Sequence, residues 1–445
     1  MNRLRASLKY SFILTVASGL LMIPLIGAGA AAAGGSWAAT GPIPVPIVAD
    51  HVAAVLKDGK VLVAGGRGSN GSNAAAALFD PATGKWTAAG TMAAGREEAT
   101  ATTLPDGRVL VAGGVQTGAS GLNYLASAEI FDPATGKWSV TGPMAKGRAA
   151  YSAALLKTGK VLVAGGISGG HDPLITSAEL YDPATGSWSS TAAMPNGRAE
   201  TPAVTLTDGT VLIAGGRGPA HSASLQDILI YDPAAGTWAP APHQLGEIRG
   251  LHTATLMKDG KVLIAGGTKL FSGNRLSDVL KSVEIYDPAA KTLTPASPMS
   301  QPRYYHTATA LANGDVLVAG GYGSNAGKEL AVDPLASAEL FNPATGKWSP
   351  AGSLKTPAGL PNTVARPTAT LLGPTGCGSN CGKVLLVGGG TTASLYSPAP
   401  AGGPAPAEAG AKTKASSKLT PVVIAGVAAG IVVVVAITWA ARRKR

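Results

Sequence analysis

Val161-Leu162-Val163-Ala164-Gly165-Gly166 is one of seven apolar runs closed by a glycine pair, and that repetition decides the fold. The other pairs are Gly65-Gly66, Gly113-Gly114, Gly215-Gly216, Gly266-Gly267, Gly320-Gly321 and Gly388-Gly389. The first six lie about 50 residues apart, the period of a propeller array. Around the quoted run the repeat reads as four strands. Tyr151–Leu156 is a short apolar strand, followed by a turn at Lys157–Gly159. Residues 161–164 are continuously apolar, as a strand covered on both faces must be. A polar loop leads to a third strand at Ser177–Tyr181, and Asp182-Pro183-Ala184-Thr185-Gly186 supplies turn chemistry, with Pro presetting φ and Gly accepting a left-handed conformation. Trp188 opens the fourth strand.

The turns recur with the strands. Asp58-Gly59, Asp106-Gly107, Asp208-Gly209, Asp259-Gly260 and Asn313-Gly314 are hairpin signals. Asp80-Pro81, Asp132-Pro133, Asp232-Pro233, Asp287-Pro288 and Asn342-Pro343 repeat the second turn, followed at a fixed distance by Trp86, Trp138, Trp238, Leu293 and Trp348. The seventh repeat runs through Leu395-Tyr396-Ser397-Pro398 and then dissolves into Pro and Ala, without an outer strand. Trp37-Ala38-Ala39-Thr40-Gly41-Pro42 matches Trp86-Thr87-Ala88-Ala89-Gly90 and stands where that strand would come from. The expectation is an all-β, seven-bladed propeller over 37–398 whose N-terminal strand closes the last blade, removing the open sheet edge.

The repeated Gly-Gly, the Tyr/Phe-Asp-Pro…Trp pairs and the stretches Pro143-Met144…Arg148 and Pro298-Met299…Arg303 resemble the Kelch-type β-propeller family, in the exported bacterial style allied to the central domain of galactose oxidase. The resemblance covers about 37–398. It implies a fold more than a function, because one fold hosts many sites.

The two ends carry address signals. Arg3, Arg5 and Lys9 precede an apolar run and small residues, which reads as a signal peptide over 1–33, with an uncleaved anchor helix the alternative. Residues 419–441 contain no charge and, at 1.5 Å per residue, would reach roughly 33 Å as a transmembrane helix. The basic tail 442–445 is expected to stay cytoplasmic. Residues 399–418, rich in Pro, Ala and Gly, form a flexible stalk in this reading. The expected location is the cell membrane, single-pass, with the propeller extracellular. Gly426 and Gly430 give the span a small-xxx-small pair that would support weak homodimerisation.

Net charge is +11, but three basic residues lie in the signal and seven in stalk and tail, against Glu408 alone. The propeller keeps 26 basic and 24 acidic residues, about +2, so the basic balance belongs to sorting signals and no nucleic-acid partner is expected. Cys377 and Cys381, the sole cysteines, sit in the seventh repeat's first hairpin. Outside the cell, a disulfide clipping an enlarged turn is the favoured reading over a redox pair or half a metal site.

The turns within hairpins barely change between repeats, whereas the loops after each Gly-Gly vary, so one face of the ring is the candidate binding surface. Its longest loops, 115–126, 268–281 and 322–336, hold Tyr124, Lys269, Phe271, Arg275, Asp278, Lys281, Tyr322, Glu329 and Asp333; shorter ones add His171-Asp172 and His221. A repeated arginine follows the fourth strand: Arg96, Arg148, Arg198, Arg249, Arg303 and Arg366. Such a ring would either hold a ligand carboxylate bidentately or tie blades through carbonyls and acids such as Glu97, Glu98, Glu200 and Glu247. Because its spacing tracks the repeat, the structural role is favoured. Three residues on stand His51, Ala99, Tyr151, Thr201, His252, His306 and Ala369, with His51, Tyr151, His252 and His306 expected at the channel mouth. A metal between His252 and His306 is weighed against histidines bonded to carbonyls or water, which is the commoner arrangement. No metal or other cofactor is assigned.

The likeness to galactose oxidase implies a copper test. Tyr305-His306 falls on that family's Tyr-His pair. A second tyrosine, cross-linked to cysteine, would have to stand at Asp50, Glu98, Ala150, Glu200, Leu251 or Thr368, and none is tyrosine. Copper-radical oxidation is therefore not expected. Gly66-x-Gly68-x-x-Gly71 matches a dinucleotide fingerprint by letters, but no helix pattern follows. No catalytic residue is assigned. The favoured function is recognition of an extracellular glycan or protein, with Arg148, Arg198, Arg249, Arg303, Tyr151, His252, Tyr305, His306 and Tyr322 as candidate contacts. The alternative is a carbohydrate-active enzyme resembling Kelch-type sialate epimerases, using Arg, Glu and His at the mouth.

Overall fold

The structure is a computed structural model, and it describes residues 34–399 apart from 46–48, 69–70, 119–120, 170–173, 220–223, 273–274, 325–331, 355–366 and 389–391. The signal segment, most of the stalk, the apolar span with Gly426 and Gly430, and the basic tail lie outside the described residues, as do His171, Asp172, His221, Glu329 and Arg366.

Seven antiparallel sheets follow one another along the chain. Blade 3 shows the unit: Ser152–Leu155, Val161–Ala164, Ala178–Asp182 and Ser187–Thr191 pair in sequence order. Val161–Ala164 is buried throughout, because blades cover both faces of the second strand. The Asp-Gly hairpins are three-residue loops: Leu56 N donates to Lys60 O at 2.8 Å, and of the pair only Gly59 takes a positive φ, 86°. At the Asp-Pro turns, Gly84 N donates to Asp80 O at 2.8 Å, and Asp80 Oδ1 accepts from Ala82 N.

Blade 7 is built from both ends of the described chain. Its strands run Thr368–Leu371, Val384–Val387 and Thr392–Ser397, and Ser36–Pro42 adds the outermost one. Trp37 lies opposite Tyr396, and their rings meet at 5.0 Å and 47°. Blade 1 makes the same contact locally with Phe79 and Trp86 at 5.0 Å, and blade 3 with Tyr181 and Trp188 at 5.1 Å. The indole N–H then reaches the blade before: Trp37 donates to Ala351 O at 2.8 Å, Trp188 to Gly142 O and Trp238 to Ala192 O. The closing strand therefore supplies both halves of the repeat's outer contact.

The enlarged turn of blade 7 is clipped by the Cys377–Cys381 disulfide around a short 3-10 turn at Gly378–Asn380. Asn380 Nδ2 donates to Pro81 O at 2.7 Å, so the insertion also braces the turn of blade 1 across the closure.

Two outcomes follow from the closure. Deleting 37–42, or replacing Trp37 by Ala, is expected to lower the melting temperature of the whole propeller in one cooperative step, the substitution costing on the order of 3–5 kcal/mol. A single melt at the wild-type temperature would remove the closing role of this strand. Replacing both cysteines by serine is expected to cost about 2 kcal/mol by loop-closure entropy, read by urea titration.

Candidate functional site

The arginines do not reach the channel. Arg148 is fully buried: Nη1 donates to the carbonyls of Gly165 and Ser177, both at 3.0 Å, and Nη2 to Glu179 Oε1 at 2.6 Å. Arg96, Arg249 and Arg303 repeat this with Gly113, Gly266 and Gly320 and with Glu129, Glu284 and Glu339. In blade 4 Leu229 replaces the glutamate, and Arg198 turns to Asp227 at 2.6 Å instead. The geometry is that of the favoured structural role, and the four candidate ligand contacts Arg148, Arg198, Arg249 and Arg303 are corrected: each fork is spent inside the protein, tying an interblade segment to the next blade. The partners come from third strands, whereas Glu97 meets Arg67 and Glu247 meets Lys269. Burial pulls the guanidinium pKa of Arg148, Arg249 and Arg303 below its usual value, and the facing glutamates oppose that pull.

The mouth is made by the residue two positions after each of the five buried arginines, together with Asp50 of blade 1. Asp50, Glu98, Ala150, Glu200, Leu251 and Tyr305 all take left-handed φ between 52° and 57°. The conformation is costly for a side chain, and none of the six is β-branched, the type that tolerates it least. From Glu98 onward each N–H donates to the counterpart carbonyl in the blade before: Glu98 to Asp50, Ala150 to Glu98, Glu200 to Ala150, Leu251 to Glu200 and Tyr305 to Leu251, at 2.8–3.2 Å. This belt of peptide bonds rims a cavity of about 290 Å³ lined by its own side chains and by His51, Tyr151, Thr201, Pro202, His252 and His306.

The expected gathering of His51, Tyr151, His252 and His306 at the mouth is what the structure shows. Three of the four are tied to the preceding blade by a hydroxyl. Nε2 of His51 bonds Thr368 Oγ1 at 2.9 Å, Nε2 of His306 bonds Thr253 Oγ1 at 3.0 Å, and Tyr151 OH bonds Thr100 Oγ1 at 2.8 Å and Ala112 O at 2.6 Å. His252 has no such tie, because Pro202 occupies the hydroxyl's position in blade 4 and Thr201 Oγ1 takes the carbonyl of Ala214. Both ring nitrogens of His252 are buried without a hydrogen-bond partner, and the ring lines both the mouth and the channel below it. Burial lowers the pKa of His51 to about 4. For His252, burial and the nearby Arg249 charge lower it to about 3, and burial and Arg303 lower that of His306 as well. Burial likewise pushes the Tyr151 phenol up to about 12.

Tyr305 lines the cavity, and its hydroxyl lies 3.5 Å from Glu200 Oε1. Tyr322 does not line it; it stacks under Tyr304 at 5.5 Å, and Tyr304 in turn packs on Tyr305 at 5.5 Å. Tyr322 is therefore a buttress for Tyr305. The long variable loops are paired ribbons, Val115–Gly118 with Gly121–Tyr124, Thr268–Ser272 with Arg275–Val279, and Tyr322–Ser324 with Val332–Pro334.

The seventh blade needs a register correction. Thr368 pairs with Val387 as Thr307 pairs with Ala319, so Pro367, rather than Ala369, is the counterpart of His306. Pro367 lines the mouth accordingly, so Arg366, which is outside the described residues, does not share the sequence offset of the other arginines. The copper test keeps its outcome, since no belt position except that of Tyr305 holds tyrosine. His306 Nε2 is engaged by Thr253, and among the described residues no three His, Cys, Asp or Glu side chains are grouped to hold a metal. The residues present do not fit that centre.

The Kelch motif matches residues 100–145, 148–195 and 302–355. Among solved structures the chain is similar to a fungal alcohol oxidase of the AA5 family in complex with copper, at 20% identity and a TM-score of 0.63, over 82% of this chain and 76% of that one. It is also similar to YjhT, at 19% identity and a TM-score of 0.54, over 70% of this chain and 99% of that one. No curated protein matches it in sequence. At these identities the likeness is one of fold, and with the seven sheets it defines a seven-bladed β-propeller carrying Kelch motifs.

Two measurements check the energetics of this site. Arg249→Met leaves Glu284 buried and uncompensated and is expected to cost about 3–5 kcal/mol in denaturant unfolding. The mouth histidines are neutral when folded and bind a proton more readily when unfolded. Stability is therefore fully present above about pH 6.5 and falls as the pH drops toward about 4, with each buried histidine contributing on the order of a few kcal/mol. Melting temperatures from pH 8 to pH 4 should show this decline, and His252→Gln should shallow it.

Proposed function

We propose that this chain is a surface-anchored recognition module whose propeller receives the end of an extracellular glycan in the channel mouth. The observation that carries the reading is the mouth itself: a peptide belt around a cavity of about 290 Å³, close to the lower size of small-ligand sites, with fixed polar groups and the rings of Tyr151 and Tyr305 among its lining. The sequence of the two ends supports the placement. A signal over 1–33 exports the propeller, residues 419–441 span the membrane with 442–445 inside, and 399–418 give reach. The Cys377–Cys381 disulfide suits an oxidising compartment.

Recognition is favoured over catalysis by the partners of the histidines. A sugar-transforming enzyme would pair an imidazole with a carboxylate as acid and base, whereas His51 and His306 bond threonine hydroxyls.

The full chain, purified in detergent, should bind a defined subset of a broad glycan array. Tyr305→Ala is expected to weaken that binding about tenfold or more while the melting temperature changes little. Absence of binding by folded protein would redirect the search to a protein partner.

A further inference from the structure

We infer that His252 is a ligand contact of the mouth and that it reads a sugar hydroxyl, the bound ring turning an OH edge onto this imidazole where the mouth meets the channel. This rests on the reading of the mouth as a glycan site. His252 is 5% exposed, and neither of its ring nitrogens has a hydrogen-bond partner among the described residues. The ring lines the mouth cavity and also the channel cavity of about 340 Å³ below it, a boundary it shares with Pro202. Its seat is tight: Gly267 lies against it with φ at 101°, and a Cβ there would fall 2.9 Å from His252 Cβ. Burial and the Arg249 charge lower its pKa to about 3, so near neutral pH it offers one N–H donor and one bare nitrogen acceptor. A hydroxyl both donates and accepts, and so meets either nitrogen in either tautomer. A carbonyl or ether oxygen only accepts, and meets the N–H alone. Tyr305, from the next blade, lines the same cavity and gives such a sugar an aromatic neighbour.

The repeat shows what a framework residue at this place looks like. Thr100, Thr253 and Thr368 bond Tyr151, His306 and His51 of the following blade, and those side chains are spent on joining blades. In blade 4 the same position is Pro202, which has no hydroxyl, and Thr201 Oγ1 donates to Ala214 O at 2.7 Å instead. A buried polar group without a partner is destabilising until something bonds it. The junction itself does not need the missing tie, because Leu251 N donates to Glu200 O at 3.0 Å and carries the belt across it. His252 is thus held firmly, kept neutral and left free to bond a group that enters from the mouth.

The test is ligand-observed NMR titration of the full chain in detergent with the methyl glycosides of glucose, galactose and mannose, each beside its monodeoxy analogues. For at least one parent sugar, one deoxy analogue should bind the unaltered protein about tenfold or more weaker. On His252→Phe the parent should fall to the level of that analogue, the two then binding within about twofold of each other. Should that variant not fold, Pro202→Thr, which offers His252 an internal hydroxyl, should weaken the parent about tenfold relative to Pro202→Ala. No deoxy penalty, a penalty of equal size with and without His252, or equal binding by Pro202→Thr and Pro202→Ala would overturn this role of His252 and leave the glycan reading standing. Binding of none of these sugars by protein that does bind a glycan on the array would do the same. Folded protein that binds neither these sugars nor any arrayed glycan would overturn both.

Discussion

Every blade depends on the ring being shut, and the ring is shut by seven residues pairing with a strand more than 350 positions away. A blade of this type has one short buried strand, two partly covered ones and an outer strand that is mostly exposed. Its core is therefore shared: Val109, Val111 and Phe131 of blade 2 pack with Leu62 and Ala64 of blade 1 in one cluster. At the seam, Trp37 and Tyr396 join Leu317, Ala319 and Leu340 of blade 6. Without the closing strand that cluster would lose its outer wall, and an unpaired edge would remain. The buried arginines add a second tie, fixing interblade segments to the next blade through carbonyls and a carboxylate.

Most of the architecture is legible in the sequence because a repeat is read many times over. Val161–Ala164 coincides with its expected bounds, and the neighbouring strands differ from theirs by a residue or so, where pairing frays. The closing strand is legible because Trp37 sits in the same context as Trp86. The seventh blade is where counting fails. The cysteine turn lengthens its first hairpin, so distance to Gly388 no longer fixes the inner strand, and Arg366 draws the register two residues off. Only the pairing of Thr368 with Val387 resolves it.

The site is less legible, for a physical reason. The belt residues share a backbone conformation and not a side-chain type. Asp, Glu, Ala, Leu and Tyr all serve, since what the ring requires of them is an N–H and a C=O tangent to the mouth. Periodicity of side chains is blind to such a feature. Two signals were nonetheless present: the fixed offset after the arginine in five of the blades and the lack of Val, Ile and Thr at all six positions. The arginines illustrate the converse. Their periodicity is plain, but whether they face the channel or the blade depends on Glu129, Glu179, Glu284 and Glu339, third-strand carboxylates that read in sequence as ordinary alternating polar positions.

In an array so regular, departures from the repeat carry the information that the repeat cannot. Pro202 is such a departure. It stands at the head of the inner strand of blade 4, which spans only Ala203–Thr205 where other blades pair four or more residues. Proline at a strand's first residue forgoes no ladder bond that the strand needs. What it removes is the hydroxyl that would have satisfied His252, while Ser152 Oγ still reaches the carbonyl of Thr201 and keeps blades 3 and 4 joined on that side. The interblade framework is thus intact around the imidazole that, among the described residues, has neither ring nitrogen bonded, and that imidazole lines the mouth with Glu200 and Tyr305, which approach each other across blade 5. A purely structural histidine would gain from a threonine at 202. Leaving it bare is destabilising unless a ligand completes it, which is why the asymmetry of blade 4 points to the mouth as a binding site rather than as the unused end of a channel.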